Sequence, residues 1–253
     1  MIQSLDRAMT ILEILENRGM ATVTEIAAEL DVNKSTASRL LETLKAHDMV
    51  RLNPASKKYM LGFRILYLSE GVKRNLNIIA IGRPYLLKLY NDLGDSVHLC
   101  TFTNDSVYVV DQIQSNKAYS LSANIGMEEP LHCSSVGKCI LANLNPNKVD
   151  RILKDYDFEV HTANTITNAD DLKASFVKIR EQGYAMDDEE VALGVRCIAA
   201  PIYDYRGNIK YSLGISGTIG SINEQTQTRY VSALTNTCAQ ISKALGYKRG
   251  YRP

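Results

Sequence analysis

The sequence predicts an α+β chain of two domains, and three observations predict it. Apolar residues recur at helical spacing three times before a first pair of short alternating runs. From Ile78 onward, alternating and apolar runs come in consecutive hairpins interleaved with helices. Polar Lys73, Arg74, Asn75 and Asn77 part the two textures. The 253 residues suffice for two ordinary domains with real cores. With 45% hydrophobic and 23% charged residues, the composition excludes disorder, collagen-like repeats and a coiled-coil rod. There is no internal repeat and no low-complexity tract.

The first unit reads as a winged helix-turn-helix. Ser4 is placed as an N-cap, with Leu5, Ala8, Leu12 and Leu15 at helical spacing behind it and Gly19 as the stop. Thr22 or Thr24 caps a short second helix with Ile26, Ala27 and Leu30 inward. Asp31, Val32 and Asn33 turn the chain into a third helix, whose inner face is Ala37, Leu40, Leu41 and Leu44. Val50-Arg51-Leu52 and Tyr59-Met60-Leu61, joined by Asn53-Pro54-Ala55-Ser56, form a hairpin.

Charge supports a nucleic-acid footprint here. The whole chain carries Lys+Arg 29 against Asp+Glu 28, so its net charge of +1 singles out no partner. Between Asn33 and Arg64, however, seven basic residues face two acidic ones, leaving the rest of the chain mildly acidic. Lys34, Ser35 and Thr36 open the third helix, where free N–H groups and the dipole favour a phosphate. Ser38 and Arg39 are placed on its outer face as readers of base edges in double-stranded DNA, and Lys57 and Lys58 on the hairpin as phosphate contacts. The bland alternatives are a lysine-rich solvated face or a three-helix interaction module.

The domain bounds are set at 1–62 for this unit, 63–75 for a linker helix whose Phe63, Ile65 and Leu66 should pack, and 76–253 for the second domain. There, Ile79–Leu93 reads as a helix, with Pro84 a kink or restart. Val97–Phe102, Val107–Ile113, Tyr119–Ile125, Val195–Tyr205 and Ile209–Ser216 read as strands of a mainly antiparallel sheet. Ser134–Leu144, Leu172–Gln182 and Thr226–Leu245 read as helices, and Arg206-Gly207-Asn208 as a hairpin turn. The five cysteines stand singly, with no C-x-x-C pair, which suits a reducing cytoplasm. Asp6, Arg7, Glu13 and Glu16 interrupt the N-terminal apolar residues, so no signal peptide is expected, and no window reaches the apolar length of a membrane span.

The runs SLDRAMTILEIL, TVTEIAAELDVNKSTASRLLETLKAHDMV and KKYMLGFRIL resemble the IclR family of bacterial transcription regulators. PLHCSSVGKCILANL and GYAMDDEEVALGVRCIAAPIYDYRGNIKYSLGISG resemble that family's C-terminal motifs, in the same order and spacing. The resemblance implies a winged helix-turn-helix, a linker helix and a GAF-like effector domain. It also implies a repressor of catabolic genes, working as a homodimer or homotetramer on operator DNA. NTITNADDL and the ending ALGY resemble the branch regulating keto-deoxy-sugar-acid and pectin breakdown. Carried over residue by residue, the effector site comprises Ser134, Ser135 and Val136 at a helix start, with Asp187, Cys197, Gly214 and Ser216 facing it. SSVG replaces the commoner SGxG, and Gly214 stands where the family has a serine. The chemistry fits a small carboxylate such as a keto acid or sugar acid, bound by N–H groups and hydroxyls, with Asp187 accepting from ligand hydroxyls.

No cofactor and no metal are expected. Cys133 beside His132 invites a thiol-hydrolase reading, but neighbours in sequence point apart and no family signature surrounds the thiol. Gly137-Lys138 imitates the end of a P-loop, yet His132 and Cys139 occupy the positions that need Gly and Ser or Thr. A zinc site drawn from His98, His132, Cys133, Asp187 and Cys197 lacks short ligand spacing, and the Asp187–Glu190 run reads as a solvated turn rather than a metal cluster. The alternative function is a small-molecule-binding or catalytic α+β domain of thiol-hydrolase type that carries an interaction module.

Overall fold

The computed structural model describes residues 2–75, 77–116 and 123–247. The chain divides into two compact units, Met1–Leu76 and Asn77–Pro253.

In the first unit, helices α1 (Gln3–Arg18), α2 (Val23–Glu29) and α3 (Lys34–Ala46) precede a hairpin of β1 (Val50–Leu52) and β2 (Tyr59–Leu61) and then α4 (Arg64–Asn75). Its core is Ile11, Ile14, Leu15, Ala21, Ile26, Ala27, Ala37, Leu41, Leu44 and Val50. Thr22 is the cap of α2, in a reciprocal capping box with Glu25. Ile2, not Ser4, precedes α1, and no side chain caps that helix. The buried face of α1 is also rotated from the expected one, leaving Leu5 exposed and Leu12 only partly buried. Every third or fourth position of α1 is apolar on two faces, so spacing alone could not choose between them.

The expectation that Phe63 and Leu66 pack is corrected: they are 67% and 61% exposed, and Tyr67 beside them 71%. Among the described residues, these side chains are left largely uncovered. Phe63 instead lies under the Arg51 guanidinium, 4.5 Å from its ring centre.

The second unit is built on a six-stranded antiparallel sheet in the order β5-β4-β3-β8-β7-β6. The strands are β3 (Ser96–Thr103), β4 (Ser106–Ile113), β5 (Glu128–Glu129), β6 (Ala185–Asp188), β7 (Val195–Tyr203) and β8 (Ile209–Thr218). α5 (Asn77–Leu93) and α9 (Gln227–Ala244) pack on one face. α6 (Ser135–Asn143) and α8 (Ala169–Gln182) pack on the other. α5 runs through Pro84 without a break. α7 (Pro146–Leu153) had no counterpart in the sequence reading: its eight residues bury only Val149 and Leu153, too little for a periodic signal. The expected strand Tyr119–Ile125 lies largely outside the described residues, and its described end, 123–125, is not strand.

Candidate ligand cavity and nucleic-acid interface

Asn33 ends the turn before α3 and caps it, its Oδ1 accepting from the Thr36 N–H at 2.8 Å and from the Ser35 hydroxyl at 2.7 Å. Thr36 therefore brings no free N–H to a phosphate, whereas the N–H groups of Lys34 and Ser35 precede the intrahelical ladder. Arg39 projects from the solvent face of α3, with Ser38 half-buried beside it. The hairpin tip is tied by Asn53, whose Oδ1 accepts from the N–H groups of Ala55 and Ser56. Lys57 sits there in the left-handed region, φ 56°, with its side chain exposed, and Lys58 is half-buried. The unit thus carries an outward arginine on α3 and an exposed lysine on a hydrogen-bonded hairpin tip.

In the second unit the pairing register builds a row. Asp187 on β6 pairs with Cys197 on β7, and Cys197 with Ser216 on β8, so three side chains far apart in sequence stand side by side. The Cys197 thiol donates to the Ser216 hydroxyl at 3.2 Å. These three, with His98, Glu129, Ser134, Ser135, Val191 and others, line a cavity of about 290 Å³. The α6 N-terminus opens onto it. Ser134 caps that helix, accepting from the Gly137 N–H at 3.0 Å and donating to the Pro130 carbonyl at 2.6 Å. The Ser135 N–H precedes the ladder, and Ser135 lines the cavity.

Two expected members are placed differently. Val136 is fully buried and Gly214 does not line the cavity. Gly214 pairs with His98 across β3 and β8. A Cβ there would lie 2.3 Å from His98 Nε2 and 3.0 Å from Val136, so its missing side chain makes room for the imidazole. His98 is thus a cavity-wall residue that sequence reasoning named only in a candidate zinc set. Burial pushes its pKa down to about 4, so the ring is neutral.

The acidic run is not a solvated turn. Asp187 is 2% and Glu190 8% exposed. Asp187 Oδ1 accepts from the Glu190 and Val191 N–H groups at 2.8 and 3.3 Å, folding the loop back on itself. Glu190 pairs with the buried Lys138 of α6. Thr162 and Thr165 hydroxyls donate to the Glu189 and Glu190 carbonyls at 2.6 and 2.7 Å. Burial raises the pKa of Asp187 despite these N–H groups and the Lys138 charge.

Thiol chemistry has no support. Burial pushes Cys133 up to about 12, and the carboxylates of Asp187 and Glu190 add to it. His132 is engaged on both nitrogens, by the Tyr156 hydroxyl and the Glu159 carbonyl, each at 3.0 Å. His132, Cys133 and His161 bring ligand atoms within 4.8 Å of one another, but a metal on His132 would have to displace one of those two partners. His98, Asp187 and Cys197 line the cavity while His132 lines an adjoining recess, so these residues do not all face one space. Among the described residues, no helix is long and apolar enough to cross a membrane.

Comparison with known proteins agrees with this architecture. Residues 4–54 match the model of the IclR helix-turn-helix domain, and residues 71–243 that of the bacterial transcriptional regulator IclR C-terminal domain. The chain is 30% identical to the transcriptional repressor IclR of Escherichia coli K12 over 98% of this chain and 92% of that protein. It is 29% identical to the regulator KdgR of the same organism over 97% and 94%, so identity does not single out one branch. Among solved structures, the Thermotoga maritima IclR superposes with a TM-score of 0.83 at 29% identity, covering 98% of this chain and all of that one. The α+β expectation of two domains with a helix-turn-helix first therefore holds, and the chain belongs to the IclR family of bacterial transcription regulators, a regulator rather than an enzyme.

Proposed function

We propose that this chain is a cytoplasmic repressor of catabolic genes that leaves or rearranges on its operator when a short hydroxylated carboxylate, a keto acid or sugar acid, enters the cavity. The observation that carries the reading is the α6 N-terminus opening onto the row Asp187–Cys197–Ser216: free N–H groups and hydroxyls suit a carboxylate, and Asp187 suits ligand hydroxyls. Homodimers, pairing into homotetramers, are supported by the exposed apolar side chains at and before the start of α1 (Ile2, Leu5, Met9) and of α4 (Phe63, Leu66, Tyr67). Ligand and DNA are coupled through the ligand's different affinity for two arrangements of that assembly.

DNA reading is assigned to Arg39 and Ser38, with Lys34, Ser35 and Lys57 on phosphates and Lys58 supporting them. Selection of the full chain against random duplexes is expected to return two half-sites, as a dimer requires. Arg39→Ala should relax preference at one position of each half-site, at a cost of about 1–3 kcal/mol. Lys57→Ala should weaken all duplexes alike and flatten the salt dependence. An unchanged consensus with Arg39→Ala would remove α3 as the reader.

A further inference from the structure

The cavity wall holds Asp187 from β6 and Glu129 from the edge strand β5, yet among the described residues that line it there is no lysine or arginine. Lys138 of α6 is paired with Glu190, and neither lines the cavity. Asp187 is partly committed to the Glu190 and Val191 N–H groups. The Glu129 carboxyl makes no hydrogen bond and no ion pair among the described residues; the charge that shifts it there is Asp187, a like charge.

A carboxylate guest at the α6 N-terminus would be a third negative group in about 290 Å³. The other groups facing Glu129 bring no countercharge. His98 on β3 is neutral, its pKa pushed down to about 4 by burial. The thiols of Cys100, Cys133 and Cys197 stay protonated, raised by burial and in part by Glu129 itself. Glu128 and His161 also line the space but are exposed to solvent. With Lys138 already paired to Glu190, the α6 N-terminus then faces three carboxyls unless one of them is neutral.

We propose that Glu129 is a contact residue for the effector, donating a hydrogen bond from its carboxylic acid to the ligand carboxylate, so that one proton from solvent enters the cavity with the anion. The proposal rests on the carboxylate reading above and adds its proton. Burial, reinforced by the Asp187 charge, holds the Glu129 pKa up at about 7, so the acid form is at hand near neutrality. An anion that binds the acid form holds that proton more tightly still. Affinity is then level below about pH 7 and falls above it, by up to about tenfold per pH unit, until the pKa of the complex is reached.

Calorimetric titration of the full chain with 2-oxobutyrate and with D-gluconate, from about pH 6 to about pH 8.5 in two buffers of different ionisation heat, tests this. The wild type is expected to lose about tenfold in affinity per unit above neutrality and to take up close to one proton on binding. Glu129→Gln, which keeps a donor but cannot titrate, should flatten the profile and hold its affinity at the alkaline end. Glu129→Leu should bind weakly throughout. A level wild-type profile, or a slope that survives in Glu129→Gln, overturns the proposal while leaving the carboxylate reading standing. Failure of both acids to bind at any pH overturns the carboxylate reading, and this proposal with it.

Discussion

Replacing Lys138 by methionine is expected to lower the stability of the second unit by about 3–5 kcal/mol at neutral pH, because it strands a buried carboxylate. The Lys138 and Glu190 side chains are 5% and 10% exposed, and Glu190 Oε2 already has no partner. Without the ammonium, Glu190 meets burial and the Asp187 charge, which already raise its pKa, with the Asp188 N–H at 3.5 Å set against them. A carboxyl whose folded pKa lies above its unfolded value costs stability as pH rises between the two, and the cost vanishes once it is protonated. Urea unfolding of Lys138→Met should therefore show a penalty that shrinks as pH falls. The double variant Lys138→Met, Glu190→Leu should regain most of the loss, since a buried pair is replaceable by apolar volume where a lone charge is not. A penalty that ignores pH, or a double variant no better than the single one, would mean the pair contributes by packing alone.

Gly137→Ala is expected to cost about 3 kcal/mol or more by overpacking and to abolish ligand binding. A Cβ at Gly137 would lie 2.4 Å from the Pro130 carbonyl oxygen and 2.7 Å from Leu131 Cα, and neither is the end of a flexible side chain. Relief requires the first turn of α6 to move off 130–131, which takes Ser135 out of its place in the cavity wall. Thermal unfolding and ligand titration on the same preparation check both halves. A variant that melts and binds like the wild type would show that this turn gives way freely.

Much of the fold was legible in the sequence because its signals are local. The cap of α2, the turn before α3, the stop at Gly19, the hairpin turn before β8 and the alternation of the strands each depend on a few neighbouring residues. The orientation of α1 and the exposure of Phe63 and Leu66 were not, since apolar spacing reports which residues seek cover and not what covers them. In the cavity, Asp187, Cys197 and Ser216 came from family resemblance; only the antiparallel register makes them neighbours. His98 and Glu129 escaped for the same reason. Each is a single polar residue in or beside a strand, marked by no motif, and brought to the wall by pairing with Gly214 and Val107. Lys138 was read only as a failed P-loop lysine, and the acidic run as solvated, because an ion pair spanning 52 residues leaves no trace in spacing.

The most direct test of a ligand-responsive regulator is the affinity of the full chain for its selected duplex, read by fluorescence anisotropy at fixed salt. It is measured without acid and then at saturating concentrations of the acid that binds by calorimetry. Asp187→Asn, which keeps an acceptor for the Glu190 N–H, is carried alongside. The expected result is a change of about 5–150-fold in the wild type, the usual span of coupling between two sites, and a much smaller change in Asp187→Asn. The same duplex affinity with and without saturating acid, in protein that demonstrably binds both, would contradict it.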